Sequence, residues 1–388
     1  MIKQKLQNFT ARHRCTLLGI GPMSVNCVDA TIELANRHDI PLMLIASRRQ
    51  IDSAEFGGGY VNNWTTSEFA EYVIDHDKKG RIILARDHGG PWQSEKETAS
   101  QMSLRRAMES AKLSYRADID AGFQILHIDP SVDMHAKPGA EEIIERICEL
   151  YEYCWCYAQK TGKEIIFEVG TEEQSGSTNA IEDLEYSLSH IQRFCHKEKI
   201  PPPSFVVIQT GTRVKEMRNV GSFDSPIRVA GEVALEIHLP KVIEVCKRFD
   251  VFIKEHNADY LSDESLQWHP RFGIHSANVA PEFGVAETKA LLHLLEENHL
   301  HDLAARFSDT VLASRKWEKW LLPDSTASNR ERVEIAGHYL FAHPDVIEVK
   351  HAARKHMKEK GIDLDLYLKE RVKASIMRYL TNFRMVKQ

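Results

Sequence analysis

Short aliphatic runs of four to six residues recur between residues 15 and 277, and stretches with helical periodicity lie between them. In residues 140–159, for example, Ile143, Ile147 and Leu150 return every three or four positions, which is the spacing of one helix face. Alternating strands and helices predict parallel strand pairing through crossover helices. The eight runs are Cys15–Ile20, Pro41–Ala46, Arg81–Arg86, Phe123–Ile128, Glu164–Val169, Phe205–Gln209, Val251–Lys254 and Phe272–Ala277.

Eight strand–helix units match a (β/α)8 barrel, or TIM barrel, whose typical length is about 250 residues. A doubly wound open sheet is the competing α/β architecture. No linker rich in Pro, Gly or Ser divides the first part of the chain, so we expect one barrel domain over residues 1–300. The strand signal then disappears and residues 363–384 have a helical pattern. Residues 301–388 are therefore predicted to form a helical C-terminal extension that closes one barrel face or makes a subunit contact.

The charge balance of the chain argues against several classes of partner. The 388 residues include 50 Lys plus Arg and 56 Asp plus Glu, for a net charge of −6, whereas nucleic-acid binding depends on a broad basic surface. No apolar run has the 18 or more residues that span a bilayer, and the seven scattered cysteines are typical of reduced thiols. We expect a cytoplasmic homo-oligomer that binds neither nucleic acid nor membranes.

Polar side chains gather immediately after the predicted strands, where barrels of this kind place their chemistry. Asp87 and His88 follow the third run, Asp129 the fourth, His256 the seventh and Asn278 the eighth. Each motif alone has a structural explanation, such as a helix-capping turn. Burying so many polar groups without partners would be costly, so together they predict either a metal-free polar pocket or a divalent-metal site. Imidazole with carboxylate favours Zn, with Mn or Mg as alternatives.

Three further motifs occur in a fixed order: FGGGY at 56–60, DHGGPW at 87–92 and HNADY at 256–260. In this combination the chain resembles the accessory, non-catalytic subunit family of class II D-tagatose-bisphosphate aldolase, from about residue 15 to 300. The wider class II aldolase family implies an Asp acid/base and a ligand His on the third strand. It also implies a ligand His on the seventh strand and, on the eighth, an Asn that contacts the ketose phosphate. On this sequence those positions are Asp87, His88, His256 and Asn278.

The sequence departs from the class II aldolase pattern at the sixth strand end and from the accessory-subunit pattern at the eighth. The sixth reads Gln209-Thr210-Gly211 where class II aldolases carry a further ligand His, so we expect Glu172 to substitute, with Glu168 as second choice. The accessory subunits have Gly where Asn278 stands. The chain thus lacks one metal-ligand residue of the class II aldolase pattern, yet it has more candidate site residues than a purely structural subunit would need.

These features predict a divalent-metal-dependent enzyme that acts on a ketose phosphate or a related acidic sugar, by retro-aldol cleavage or 4-epimerisation. The metal would act as a Lewis acid, while Asp87 or Asp129 takes the proton of the C4 hydroxyl. Anionic substrate groups would be bound by cations near strand ends and by backbone N–H groups of the glycine-rich turn. These candidates are Arg48, Arg49, Arg213, Lys254, Gly58 and Gly59.

The alternative is a non-catalytic partner that stabilises a class II aldolase catalytic subunit. A sugar-phosphate kinase is disfavoured, because the chain contains no GxxxxGK[ST] phosphate loop.

Overall fold

Eight parallel strands close into a barrel, which confirms the predicted TIM-barrel fold. The structure is a computed structural model that describes residues 1–170, 181–224 and 235–387. Around the barrel the strands run in the order β1-β2-β3-β4-β5-β6-β9-β10, and β10 pairs with β1. A two-stranded hairpin, β7 and β8, follows β6. The strands are β1 Leu17–Ile20, β2 Leu42–Ser47, β3 Ile82–Gly89, β4 Ile125–Ile128, β5 Ile166–Val169, β6 Phe205–Ile208, β7 Val214–Lys215, β8 Arg218–Asn219, β9 Phe252–Glu255 and β10 Ser276–Val279.

Helices surround the barrel and form most of the chain after β10. The α-helices in the described part of the chain are α1 Ile2–His13, α2 Val25–His38, α3 Thr66–His76, α4 Glu95–Ala99, α5 Leu104–Ala121, α6 Ala140–Thr161, α7 Ile181–Glu198, α8 Leu235–Arg248, α9 Asp263–Phe272, α10 Pro281–Glu297, α11 His301–Ser314, α12 Asn329–Ala336, α13 Pro344–Glu359 and α14 Leu364–Asn382. Short 3-10 turns span Ala54–Phe56, Glu318–Trp320 and Gly337–Leu340. Within the described residues, no helix combines the length and the apolar character needed to cross a membrane.

The C-terminal helices pack into two hydrophobic cores. Val372, Ile376 and Tyr379 of α14 belong to the same core as the barrel strands. A second core joins α10 to α11, α12 and α13, with Leu291 and Phe307 among its buried residues. Because α10 lies inside the predicted barrel domain yet shares this second core, the division at residue 300 stays a prediction.

Two predicted elements have different bounds in the structure. The predicted strand at 272–277 is β10, which begins only at Ser276, because α9 continues to Phe272 and ends on Gly273 at φ 85°. Residues 94–115 also have helical periodicity in the sequence, which predicts one helix. In the structure they are divided into α4 and α5, and Gln101 between them has φ 50°. In both places a left-handed residue ends a helix inside a continuous apolar pattern.

Candidate active site

An irregularity at the end of β3 brings two consecutive side chains to the same place. The pairing of β3 with β4 shifts between Arg86 and Gly89, and His88 has a left-handed φ of 45°. Successive residues of a regular strand point to opposite faces of the sheet. Here, however, Asp87 Oδ1 lies 3.8 Å from His256 Nε2 and His88 Nε2 lies 3.1 Å from His256 Nδ1. A bulge re-aims side chains in this way, and bulges are common beside active sites.

The His88 and His256 rings are each held by a carboxylate on the far side from their mutual contact. His88 Nδ1 lies 2.7 Å from Asp129 Oδ2, and His256 Nε2 lies 2.9 Å from Glu168 Oε1. Metal-ligating histidines are typically oriented by such a carboxylate on the other ring nitrogen. The nitrogens left to bind a common ligand are therefore His88 Nε2 and His256 Nδ1.

The charges around these rings explain their protonation. Burial lowers the pKa of His256 to about 3, so this imidazole is neutral. Burial also acts to lower the pKa of His88, but Asp87 and the hydrogen bond to Asp129 outweigh it and raise that pKa to about 9. Without a bound cation, His88 is an imidazolium that can donate to Asp129 and to His256.

Negative charge exceeds positive charge at this site when the imidazoles are neutral. Asp87, Asp129 and Glu168 are carboxylates, and Lys254 Nζ lies 2.5 Å from Glu168 Oε2 as the opposing cation. Three carboxylates against one ammonium group leave two negative charges among these residues. A divalent cation would balance them.

His127 is a member of the site that the sequence analysis did not select. It lies buried on β4, and its Nδ1 accepts the backbone N–H of His88 at 3.1 Å. Burial lowers its pKa to about 3, so the ring is neutral with the proton on Nε2. Nε2 has no hydrogen-bond partner among the described residues. Strand alternation could have indicated His127 as a site residue, because it lies on the same strand face as Asp129, two positions later.

Asp87 and Asn278 form a second pair at the barrel mouth. Asn278 Nδ2 donates to Asp87 Oδ1 at 3.1 Å, which fixes the carboxylate beside His256. Asn278 Oδ1 is buried and has no partner within the described ranges. A Cβ at Gly19 would lie 2.3 Å from this oxygen, so the absence of a side chain on β1 makes room for the amide.

The donor set fits a divalent transition metal. Potential ligand atoms of His88, His127 and His256 lie within 4.8 Å of one another, as do those of the set Asp87, His127, Glu168 and His256. Zn bonds of about 2.0–2.2 Å in tetrahedral geometry place ligand atoms roughly 3.3 Å or slightly more apart. The 3.1 Å between His88 Nε2 and His256 Nδ1 is close to that spacing.

Glu172, the predicted third ligand, lies outside the described residues.

Two of the cations predicted to bind substrate are already paired with carboxylates. The Arg48 guanidinium is buried and bonds Asp52 at 3.0 Å and Glu97 at 2.5 Å, so it holds the loop after β2. Lys254 is buried against Glu168. Arg213 is exposed beside the β7–β8 hairpin. Arg48 and Lys254 thus pair with carboxylates of the protein, where the prediction had them binding a substrate anion.

The glycine-rich turn also differs from its prediction. The N–H of Gly58 donates to Ser53 O at 3.1 Å, and the N–H of Gly59 donates to Trp64 O at 3.1 Å. A Cβ at Gly59 would lie 2.0 Å from Gln50 O, so this glycine permits close packing of the loop. The two N–H groups predicted to bind substrate are therefore used inside the turn.

Comparison with known proteins supports the motif-based resemblance. Residues 3–193 match the family described as D-tagatose-1,6-bisphosphate aldolase subunit GatZ/KbaZ-like. No curated protein sequence matches the chain.

Among solved structures, the chain is similar to a probable tagatose 6-phosphate kinase from Sinorhizobium meliloti 1021. The TM-score is 0.74 at 17% identity, over 95% of this chain and 100% of that one. It is also similar to fructose-bisphosphate aldolase from Campylobacter jejuni, with a TM-score of 0.54 at 10% identity, over 98% of this chain and 95% of that one. At these identities the likeness shows the fold.

The family match includes the FGGGY and DHGGPW motifs and ends before His256 and Asn278. The predicted resemblance to the GatZ/KbaZ-like aldolase-subunit family is thereby confirmed over residues 3–193.

Proposed function

We propose that the chain is a divalent-metal-dependent enzyme that cleaves a ketose phosphate or a related acidic sugar by a retro-aldol reaction, or inverts it at C4. One observation carries this proposal. His88 Nε2 and His256 Nδ1 lie 3.1 Å apart, next to a carboxylate, Asp87, that Asn278 holds in place.

His88 and His256 would hold the metal, and Glu172 is the predicted further ligand. Asp129 and Glu168 orient the two rings through their hydrogen bonds. Bound there, a divalent cation supplies Lewis acidity that polarises the substrate carbonyl and stabilises negative charge on its oxygen. The imidazole and carboxylate donors favour Zn, with Mn or Mg as alternatives.

Asp87 is the residue proposed to move the proton. Its side chain is 14% exposed, so it can reach substrate, and Asn278 orients it. As general base it takes the proton of the C4 hydroxyl. The C3–C4 bond then breaks, its electron pair moves toward the C2 carbonyl, and the aldehyde fragment leaves. If that fragment turns over and adds again, C4 is inverted, which is the epimerase outcome.

Asp129 was the second predicted base, but its contacts favour a positioning role. Its Oδ2 bonds His88 Nδ1, and its Oδ1 accepts from Ser131 Oγ at 2.5 Å. Burial opposes ionisation, but the hydrogen bond from His88 and the charges nearby lower the pKa of Asp129 below its usual range. An anion engaged on both oxygens is better suited to hold His88 than to take a substrate proton.

The second candidate is a non-catalytic subunit that stabilises a class II aldolase chain. The end of β6 favours this reading, because Gln209 and Thr210 stand there in place of an imidazole and the Thr210 hydroxyl donates to Glu255. In that case Asp129, His88, His256 and Glu168 form a chain of hydrogen bonds in which each polar group has a partner without a metal ion.

Metal analysis and activity assays separate the two candidates. The purified chain would be analysed for bound metal and assayed with tagatose and fructose bisphosphates for cleavage and for C4 inversion. Bound metal together with turnover by the chain alone supports the enzyme. Absence of both, with co-elution of a co-expressed class II aldolase subunit in size-exclusion chromatography, supports the accessory role.

A further inference from the structure

Four cations from three separate segments lie near one another without carboxylate partners. Arg49 follows β2, Lys215 belongs to β7, and Lys316 and Lys319 follow α11. Across residues 1–170, 181–224 and 235–387, none of the four has an ion-pair partner within 4.0 Å. We call these four residues the basic cluster.

Two aromatic rings form the floor of the basic cluster. Tyr60 and Tyr339 meet edge-on with ring centroids 4.9 Å apart. Lys316 Nζ lies 5.9 Å from the Tyr60 ring and 6.0 Å from the Tyr339 ring. Lys319 Nζ lies 5.0 Å from the Tyr339 ring. The rings hold both ammonium groups in place through cation–π attraction and leave their N–H donors free of carboxylates.

Hydrogen bonds attach residues 319–320 of the C-terminal segment to the loop after β6, at the carboxyl end of the barrel. The N–H of Glu216 donates to Trp320 O at 2.8 Å, and Lys215 Nζ donates to Lys319 O at 2.7 Å. The N–H of Tyr60 donates to Arg49 O at 3.0 Å. Loops after β2 and β6 thus carry part of the cluster, on the barrel end where β3 and β9 present their histidines.

Among the described residues, the charges that act on Lys319 are mainly positive. Desolvation by the surrounding protein, then Arg49 and the neighbouring lysines, lower the pKa of Lys319 to about 8, and Glu95 only partly opposes this. His338 lies beside Tyr339 in a tilted arrangement, with ring centroids 4.1 Å apart, and is 1% exposed. Neither of its ring nitrogens has a hydrogen-bond partner in the described part of the chain. Cations gathered in this way raise the local concentration of anions.

A cavity adjoins these residues. It has a volume of about 750 Å³, and Lys316, Tyr60 and Tyr339 are among the residues that line it. The Asp345 carboxylate also lines it and is paired with Arg306. This is enough room for a phosphate group with part of a sugar attached.

We propose that the basic cluster is a binding site for a phosphate dianion, free or as a sugar phosphomonoester, and that the C-terminal segment supplies half of its cations. The assignment to substrate rests on the proposed function, in which a ketose phosphate reaches the histidines from this end of the barrel. Phosphate binding as such does not depend on it.

Isothermal titration calorimetry on the full chain, stripped of metal by a chelator, tests the site. The titrants are inorganic phosphate, fructose 6-phosphate and fructose at constant ionic strength. Lys316→Gln and Lys319→Gln are expected to weaken binding of both phosphate compounds at least about tenfold, because each removes a charged donor. The control Lys355→Gln removes one charge from the exposed face of α13 and should change nothing. Circular dichroism verifies that each variant is folded.

Tighter binding of fructose 6-phosphate than of phosphate, lost in both variants, assigns the site to substrate. Equal binding of the two compounds, lost in both variants, assigns it to free phosphate, and either result supports the proposal. No binding by the parent chain, or unchanged binding in both variants, overturns it. The metal content of the parent chain reports separately on the proposed function, so the two failures can be told apart.

Discussion

His88 Nε2 lies 3.1 Å from His256 Nδ1, although the two residues are 168 positions apart in the chain. Closure of the barrel produces this contact, because β3 and β9 lie on different sides of the ring and direct their carboxyl ends to a common mouth. Each ring is held by its own carboxylate, which fixes its orientation as the proposed metal site requires.

His88→Ala and His256→Ala should each lower bound metal and aldol or epimerase turnover by more than about 100-fold, because each removes a proposed ligand. Inductively coupled plasma mass spectrometry and a coupled cleavage assay measure both quantities. His351→Ala, on the exposed face of α13, is the matched control. Unchanged metal content in both variants would remove the basis of the metal site.

Asp129→Asn should weaken metal binding about 10–100-fold while leaving the fold intact, because the carboxylate holds the His88 ring from behind. Competition with a chromogenic chelator gives the affinity. Asp309→Asn on exposed α11 serves as control. Loss of turnover at full metal affinity would instead return Asp129 to the predicted role of base.

Gly19→Ala should lower turnover at least about tenfold with metal retained, since the new Cβ would meet Asn278 Oδ1 at 2.3 Å and displace the amide from Asp87. Overpacking of this kind also costs about 1–3 kcal/mol of unfolding free energy. Steady-state kinetics and chemical denaturation measure the two effects. Gly139→Ala is the control, because a Cβ there meets nothing within 4 Å. Full turnover by Gly19→Ala would mean that Asn278 does not position Asp87.

Stability should fall as the pH rises from about 4 to about 8 through Asp259. Burial and the neighbouring Glu282 carboxylate raise the pKa of Asp259 to about 8, whereas an unfolded Asp ionises near pH 3.9. In this window the folded chain holds a proton that the unfolded chain has released, so each increase in pH favours unfolding. Urea unfolding at several pH values should show a flatter dependence for Asp259→Asn. An identical slope in parent and variant contradicts the assignment.

The periodic part of the fold could be predicted because strand runs and helix faces are local patterns. All eight predicted runs overlap barrel strands, and the pattern at 363–384 corresponds to α14. The bulge at His88 could not be predicted in this way, because it depends on the register that β3 adopts against β4. The pairing of Arg48 with Glu97 was hidden for the same reason, since it joins segments 49 positions apart.

The sequence predicts which residues gather at the candidate site better than it predicts the role of each one. Asp87, His88, Asp129, His256 and Asn278 do come together, because strand ends of a barrel share one mouth. Which nitrogen or oxygen faces inward depends on the partner behind each ring, and those partners are set only in three dimensions.

The packing of α14 has a consequence for how the chain folds during synthesis. Tyr379 and Phe383 belong to the barrel core, and the Tyr379 hydroxyl reaches Ala258 O, two residues after His256. The ribosome therefore produces the loop that carries His256 more than a hundred residues before the side chain that seals it. Until α14 emerges, the apolar barrel surface that it covers stays exposed to solvent, so this part of the core forms last during synthesis.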